Sequence, residues 1–398
     1  MSLKDDIDAA NEPNEQQSKA RATVGLDGGV IETGTLVKPI DLASDWNAVL
    51  ISFGLDPTIF QVAGDSVRMS KWQSSKRLEN GDRDLIWLYS YRASFTRRTQ
   101  PVLADTELDA MRKQVAKWRP TVRKQVLSDQ APSTLVVCLA DLQLGKSAGG
   151  VDATVNRVLA GFDATVKRVD ELRRIGRNIE GVCLANMGDI IEGCQGQYAS
   201  QLHTVSLNLR QQLKLALDLF SKGVVTFSQL AAKVEVISLL SNHGEWQRFG
   251  GKSITGDSDN ADGHVADTTK LILENHPATG HIKWTIPHDE MSVMSVLSGV
   301  AVAFTHGHKM TGKPFEFLRG QSLRLLYEEG KAPDLWVSGH FHHLNITDFG
   351  AFTHLQCPSN DGGSKYFTDT TGKWSTAGTL SFLVGEHTPL KFSDVAVL

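Results

Sequence analysis

The sequence predicts an α/β fold with a largely parallel sheet, preceded by a smaller domain of a different kind. Three observations predict it. From Thr134 onward, short apolar runs alternate with helical stripes. All 13 histidines lie between His203 and His387, and the first 200 residues hold none. The chain has 398 residues, enough for two domains. Its composition, 41 % hydrophobic and 22 % charged, excludes collagen-like, coiled-coil and wholly disordered chains. A net charge of -4 excludes an indiscriminate polybasic binder of nucleic acid but leaves room for a local basic patch. The cysteines, Cys138, Cys183, Cys194 and Cys357, form no C-x-x-C pair. A disulfide scaffold and a cysteine zinc site are therefore excluded, and a reducing compartment fits. No apolar leader follows Met1, and no uncharged apolar stretch reaches about 18 residues. The expectation is a soluble cytoplasmic protein with no membrane contact.

Residues 1–35 read as a flexible tail, poor in aromatics and rich in Asn, Gln, Glu, Asp and Gly. Residues 36–127 read as a basic domain. Asp45 to Ile51 starts with polar cap-type residues and turns apolar, as a helix start does, and Gly54 ends it. Leu55-Asp56-Pro57 leads into a second short helix. Ser66 to Gln73 and Asp84 to Phe95 alternate as strands around Asn80-Gly81, a hairpin signal. The outline is winged-helix-like, or more generally α+β. Residues 68–124 carry fourteen basic against six acidic residues, a net of +8, interleaved with Trp72, Trp87, Tyr89, Tyr91 and Trp118. Cations and flat rings together suit a nucleic acid strand; a solvated face over aromatic core residues is the alternative. Asp105 to Trp118 is an amphipathic helix through Leu108, Met111 and Val115, and 128–133 is a linker.

Residues 134–398 hold the chemistry. Leu135–Ala140, Val182–Met187 and Val234–Leu240 are buried-type strands. Val151–Ile175 and Leu202–Phe220 are helices between them. Ser292–Leu297, Val300–Phe304, Leu335–Ser338 and Leu380–Val384 are further strands. Five of these strands end in polar residues: Asp141-Leu142-Gln143, Gly188-Asp189, Asn242-His243-Gly244-Glu245, His306-Gly307-His308 and Gly339-His340-Phe341-His342-His343. Ligands bind at the carboxyl edge of open α/β sheets. Asp and Asn oxygens with several imidazoles suit Mn, Fe or Zn better than Ca.

These five ordered blocks resemble the calcineurin-like metallophosphoesterase superfamily, whose pattern is D-x-H, G-D, G-N-H-(D/E), a lone His and G-H-x-H. The resemblance covers about residues 134 to 390. Asp141-Leu142-Gln143-Leu144-Gly145 and Gly188-Asp189-Ile190-Ile191-Glu192 are most similar to its nuclease branch, the SbcD-type double-strand-break repair exonucleases, which also have bacteriophage members. The resemblance implies a two-sheet αββα sandwich. It also implies two divalent ions, manganese ahead of magnesium, iron or zinc. Asp141, Gln143 and His342 would hold one ion, Asn242, His306 and His340 the other, and Asp189 would bridge them. Two such ions clamp the attacking and leaving oxygens of an in-line displacement and turn water into a hydroxide nucleophile near neutral pH. His243 would protonate the leaving oxygen as the catalytic acid. Two departures stand out. Gln143 replaces a histidine with a weaker amide ligand, and Gly244 displaces Glu245 by one place. The expected activity is DNA endo- or exonucleolytic hydrolysis. The alternatives are a phosphatase or small-substrate phosphodiesterase, and a catalytically weak DNA-binding or scaffold protein. SbcD-type nucleases bind an ATPase partner through a region after the catalytic domain; here the chain stops soon after the catalytic strands, so DNA is the expected partner, and an SbcC-like ATPase is a possible one that no capping region supports.

The remaining candidates read as ordinary. His308 is either close to the ions or a structural histidine, and His343 points away from His342 by alternation. Lys146 and Lys309 read as solvated loop lysines, and Gln321 and Arg324 as surface residues of a helix.

Overall fold

The computed structural model describes residues 20–25, 28–40, 46–57, 59–63, 66–77, 83–97, 105–119, 130–198, 201–246, 248–249, 252–253, 255–310, 312–363 and 374–398. It divides into two compact units between residues 100 and 101.

The first unit runs β1 (Arg21–Gly25), β2 (Gly28–Glu32), α1 (Trp46–Ser52), β3 (Phe60–Val62), β4 (Arg68–Arg77) and β5 (Arg83–Arg97). Its spine is β5. The first part of β5 pairs antiparallel with β4, from Arg83↔Arg77 to Arg92↔Arg68. The last part pairs with β2 and β3. The hairpin expected between the two alternating runs is thus present, although Asn80-Gly81 lies outside the described residues. Two expectations are corrected. The stretch read as tail contains the β1–β2 hairpin: Ile31 pairs with Ala93 and is buried with Leu50, Phe60 and Phe95. Its polar composition concealed two strands of five residues. Among the described residues no second helix follows Pro57: Ile59 N and Phe60 N both donate to Asp56 O in one turn, and the chain enters β3 at Phe60. Among the described residues this unit has one helix and a five-stranded antiparallel sheet, an α+β arrangement rather than a helix pair with a wing.

The second unit opens with α2 (Asp105–Lys117), which buries Leu108, Met111 and Val115 against residues of this unit. The sequence reading placed that helix in the basic domain. Its apolar stripe instead belongs to the second core, so the +8 region is shared between the units. There follow β6 (Pro132–Leu139), α3 (Val151–Arg174), β7 (Asn178–Asn186), α4 (Leu209–Phe227) and β8 (Lys233–Ser238). The short pair β9 (Arg248–Phe249) and β10 (Lys252–Ser253) precedes α5 (Ala261–Leu273) and β11 (Lys283–Thr285). Next come β12 (Ser292–Leu297), β13 (Val300–Thr305), α6 (Pro314–Glu329), β14 (Leu335–Ser338), β15 (Asn345–Asp348) and β16 (Thr353–Gln356). The chain closes with β17 (Leu380–Val384) and β18 (Phe392–Val397).

These strands form two sheets, ordered β11-β8-β7-β6-β17-β18 and β12-β13-β14-β16-β15. In the first, β6, β7, β8 and β11 are parallel; in the second, β13, β14 and β16 are parallel. Strand alternation explains the layers. Leu135, Val137 and Leu139 of β6 face the core with Phe162 of α3, Leu219 of α4 and Val265 of α5. Val136, Cys138 and Ala140 face the other way, onto Val302, Phe304, Val337 and Leu355 of the second sheet. The outer side of that sheet, through Ala301, Ala303 and Trp336, is covered by Leu318 and Leu325 of α6. The architecture is therefore helices, sheet, sheet, helix: the αββα sandwich. Both sheets are covered on both faces, which is why their parallel strands read as unbroken apolar runs. Among the described residues no helix is long and apolar enough to cross a membrane.

Candidate metal centre

The parallel strands of both sheets deliver their carboxyl ends to one rim. Asp141 and Gln143 follow β6, Asp189 follows β7, Asn242 and His243 follow β8, His306 follows β13, and His340 and His342 follow β14. Main-chain bonds tie these ends together: Asp141 N donates to Gly188 O (3.1 Å) and Gln143 N to Asp189 O (2.8 Å). The chain turns sharply there. Asp141, Gln143, Asp189, His340 and His342 all have positive φ, between 41° and 70°. Gly188, at φ 97°, precedes Asp189, and a Cβ on it would lie 2.6 Å from His306 Nδ1, so only glycine fits that approach. Gly244 has the same explanation. A Cβ there would run into Asn260 Oδ1 and Asp262 Oδ2, which accounts for the displaced Glu245.

All seven residues expected to hold ions lie in one connected cluster. Asp189 Oδ2 is 3.3 Å from His306 Nε2, which is 3.1 Å from Asn242 Oδ1. His340 N donates to both Asp141 oxygens (3.2 and 3.0 Å), and His342 Nε2 lies 3.3 Å from Asp141 Oδ1. One ligand atom each from Asp189, His306 and His340 falls within 4.8 Å of the others. Gln143 differs from the rest: its amide oxygen accepts from Lys146 Nζ at 2.7 Å, and its nitrogen faces His243 Nε2 at 3.5 Å.

Hydrogen bonding answers whether a divalent ion fits. His306 Nδ1 donates to Met187 O at 2.8 Å, so in the neutral ring Nε2 carries a lone pair. That lone pair faces two further acceptors, Asn242 Oδ1 and Asp189 Oδ2, and Asp189 Oδ2 is buried with no hydrogen-bond partner. Three lone-pair atoms converging in a dry site require a proton or a cation. Without a cation the proton is taken. Burial opposes charge on His306, but Asp189 prevails and lifts it to about 9. Burial likewise opposes charge on Asp189, and the His306 and His243 rings hold its carboxyl well below the usual range. Burial, with His306 beside it, drops His340 to about 4. Mixed imidazole, carboxylate and amide donors suit borderline ions such as Mn, Fe or Zn.

His243 is buried against the cluster. Its Nδ1 lies 2.8 Å from Glu192 O and 3.4 Å from Glu192 Oε2, and its main-chain N donates to Asp189 Oδ1 at 2.9 Å. Nε2 is left facing the centre, 4.0 Å from Asp189 Oδ2. Burial works against protonation, yet Asp189 and Glu192 raise the ring to about 10.

Several contributors escape a reading of strand ends. Glu192 anchors His243 and accepts from Tyr198 Oη at 2.6 Å. Asp262, on α5, accepts from Ser241, Asn186 and the Ile190 N–H, and so knits β7 to β8 beneath the ligands. Asp361, after β16, receives Lys146 Nζ at 2.5 Å. Lys146 is thus not a solvated loop lysine; its partner lies 215 residues away, where no local signal marks it. His308 lies tilted 5.4 Å from His306 and edge-on 6.3 Å from His340, and burial drops it to about 2, so it stays neutral. His343 is exposed and turned to Phe341 O. Arg324 and Gln321 bond each other and Ser292, which pairs with Thr305 at the end of β13.

No family model matches the chain, and no curated protein matches it. The chain is similar to several solved structures. An archaeal phosphodiesterase is 11 % identical, covers 66 % of this chain and 99 % of its own, and has a TM-score of 0.30. Vps29 of Entamoeba histolytica complexed with zinc is 13 % identical over 62 % and 84 %, with a TM-score of 0.28. A hypothetical protein of Pyrococcus horikoshii is 11 % identical over 67 % and 88 %, with a TM-score of 0.32. The chemistry of this chain is read from its own side chains.

Proposed function

We propose that this protein is a divalent-metal-dependent phosphoesterase that hydrolyses phosphodiester bonds of DNA. The observation that carries the hydrolytic part is the convergence of Asp189 Oδ2, His306 Nε2 and Asn242 Oδ1 beside His243, whose Nε2 faces the same point. A divalent ion held there supplies Lewis acidity toward a phosphoryl oxygen and acidifies water. The remaining work falls to the side chains. His243 donates its Nδ1 proton to Glu192 O, which fixes the ring and directs Nε2 inward. Glu192, with its main-chain oxygen and carboxylate beside Nδ1, favours the protonated ring, and Nε2 is then the atom that can offer a proton to a leaving alkoxide. The bond from His243 N to Asp189 Oδ1 ties this donor to the ligand beside it.

The polymeric substrate is supported by the first unit. Trp87, 45 % exposed, shares a face of the β4–β5 ribbon with Tyr89 and with Lys71, whose Nζ lies 4.2 Å from the Trp87 ring centroid, and Trp72, 37 % exposed, is on the opposite face. Flat faces beside cations are what a nucleic acid strand stacks on. Not every aromatic of the basic stretch takes part: Tyr91 is buried, and Trp118 packs on Phe162 and donates to Asp163.

The test is turnover by metal-stripped protein given Mn²⁺, on linear and circular DNA and on p-nitrophenyl esters. The expected result is DNA cleavage that needs Mn²⁺ and disappears in Asp189→Asn. His243→Gln should lower kcat by about 10²- to 10⁴-fold while retaining its metal. Turnover of p-nitrophenyl esters alone would move the reading to a small-substrate enzyme. No turnover of any ester would end it.

A further inference from the structure

At the position around Asp141, Gln143 and His342, the side chains surround a cation that the chain itself supplies. Lys146 Nζ donates to Gln143 Oε1 at 2.7 Å and to Asp361 Oδ2 at 2.5 Å. The lysine side chain is 15 % exposed and the aspartate 2 %, so water does not compete for the pair. Asp361 Oδ2 lies 3.8 Å from His342 Nδ1, and His342 Nε2 lies 3.3 Å from Asp141 Oδ1. Gln143, Lys146, Asp361, His342 and Asp141 therefore form a continuous chain of contacts with the ammonium inside it. The other position is built differently. Asp189, His306, His340 and Asn242 bring ligand atoms together, and none of the four contacts a lysine at hydrogen-bond distance among the described residues.

We infer that the Lys146 ammonium is the resident cation of the first position and that the centre takes one divalent ion, held by Asp189, Asn242, His306 and His340. This rests on the metal-dependent reading above and sets its stoichiometry. The residue types agree with it. An amide oxygen is a modest ligand for a borderline ion but a good acceptor for an ammonium. Glutamine at this position thus suits a lysine partner better than a metal. The lysine's backbone is held as well: Lys146 N donates to Gln143 O at 3.0 Å, and its main chain pairs antiparallel with Val205. A divalent ion arriving beside it would meet like charge in a site shielded from water, and would find the Gln143 and Asp361 oxygens already engaged.

The experiment counts metal. Full-length protein is stripped with chelator and equilibrated with rising Mn²⁺; bound metal is measured by elemental analysis, with electron paramagnetic resonance alongside. The wild type should saturate at one Mn²⁺ per chain with a mononuclear spectrum. Lys146→Met should bind two, with an exchange-coupled spectrum, and Lys146→Arg should stay at one. Two ions in the wild type overturn the inference, as does a folded Lys146→Met that still binds one. Should Lys146→Met fail to fold, the wild-type count and Lys146→Arg decide. A count of zero in the wild type removes the metal reading itself, and is thereby distinguished from a count of two.

Discussion

Asp141, Gln143, Asp189, His340 and His342 each hold a left-handed backbone that costs an L-residue about 1–2 kcal/mol. Five such residues cost about 5–10 kcal/mol, which is comparable with the net stability of an ordinary domain. Strain of this size persists only where surrounding contacts impose it, and it gathers at functional sites. The main-chain hydrogen bonds between the β6 and β7 ends and the bifurcated hydrogen bond from His340 N to both Asp141 oxygens are the contacts that impose it here. A bound ion adds to them, since it binds only the folded arrangement. Mn²⁺ at about 100 times its Kd should stabilise the protein by about 2.7 kcal/mol, a rise in Tm of about 3–5 °C, reversed by chelator. Scanning calorimetry with and without Mn²⁺ checks this, and an unchanged Tm removes the ion from the account. Gly188→Ala should weaken Mn²⁺ binding about 10- to 100-fold, because its Cβ displaces the His306 ring that Met187 O orients; titration calorimetry reads that loss. The ligand types were legible in the sequence because each sits just past an apolar run. Lys146 was not legible, because its burial depends on Asp361, delivered by a strand far along the chain.

The strands that position the rim were legible for a simple reason. β6, β7, β8, β13 and β14 are buried on both faces, so they appear as continuous apolar runs. Elements defined by their ends were harder to read. The helix expected from Leu202 begins instead at Leu209, because Asn208 and Gln211 form a reciprocal cap there. α5 escaped notice, although it carries Asp262 beneath the site. Outside the rim, β14 is fastened at its start by Asp334, which accepts from Lys391 Nζ at 2.6 Å and from Ala301 N at 2.9 Å. Burial would raise this carboxyl, but Lys391 and the Ala301 N–H outweigh it and hold it below its usual range. A lowered folded pKa stabilises above the unfolded value, near 4, and the contribution is lost as pH falls through the folded pKa. Solvent screens the pair, so Asp334→Asn should cost about 0.5–1 kcal/mol at pH 7. The gap in Tm between variant and wild type should close below about pH 4. A gap that persists in acid would show that the carboxylate charge contributes nothing.

A net charge of -4 coexists with a stretch of +8 between residues 68 and 124. The two units divide that stretch, and they use its aromatic residues differently. Sequence composition could not separate these roles, because a tryptophan beneath a core and one on a sheet surface look alike until the partners are placed. Trp118 is held by Phe162 and Asp163, whereas Trp72 and Trp87 remain largely open and Lys71 sits over Trp87. This division makes the DNA reading testable apart from the chemistry. Stacking on an aromatic side chain contributes about 1–3 kcal/mol per base. The double variant Trp72→Ala/Trp87→Ala should therefore weaken binding of single-stranded DNA at least about tenfold. Lys71→Ala should weaken it less and flatten the dependence of affinity on salt by about one phosphate contact. Neither variant touches the ligand cluster, so both should bind Mn²⁺ and turn over a p-nitrophenyl ester as the wild type does. Fluorescence anisotropy over a range of salt, with ester turnover in parallel, separates the outcomes. Unchanged DNA affinity in the double variant would remove the first unit as the strand-binding surface, while leaving the proposed hydrolysis at the rim to its own test.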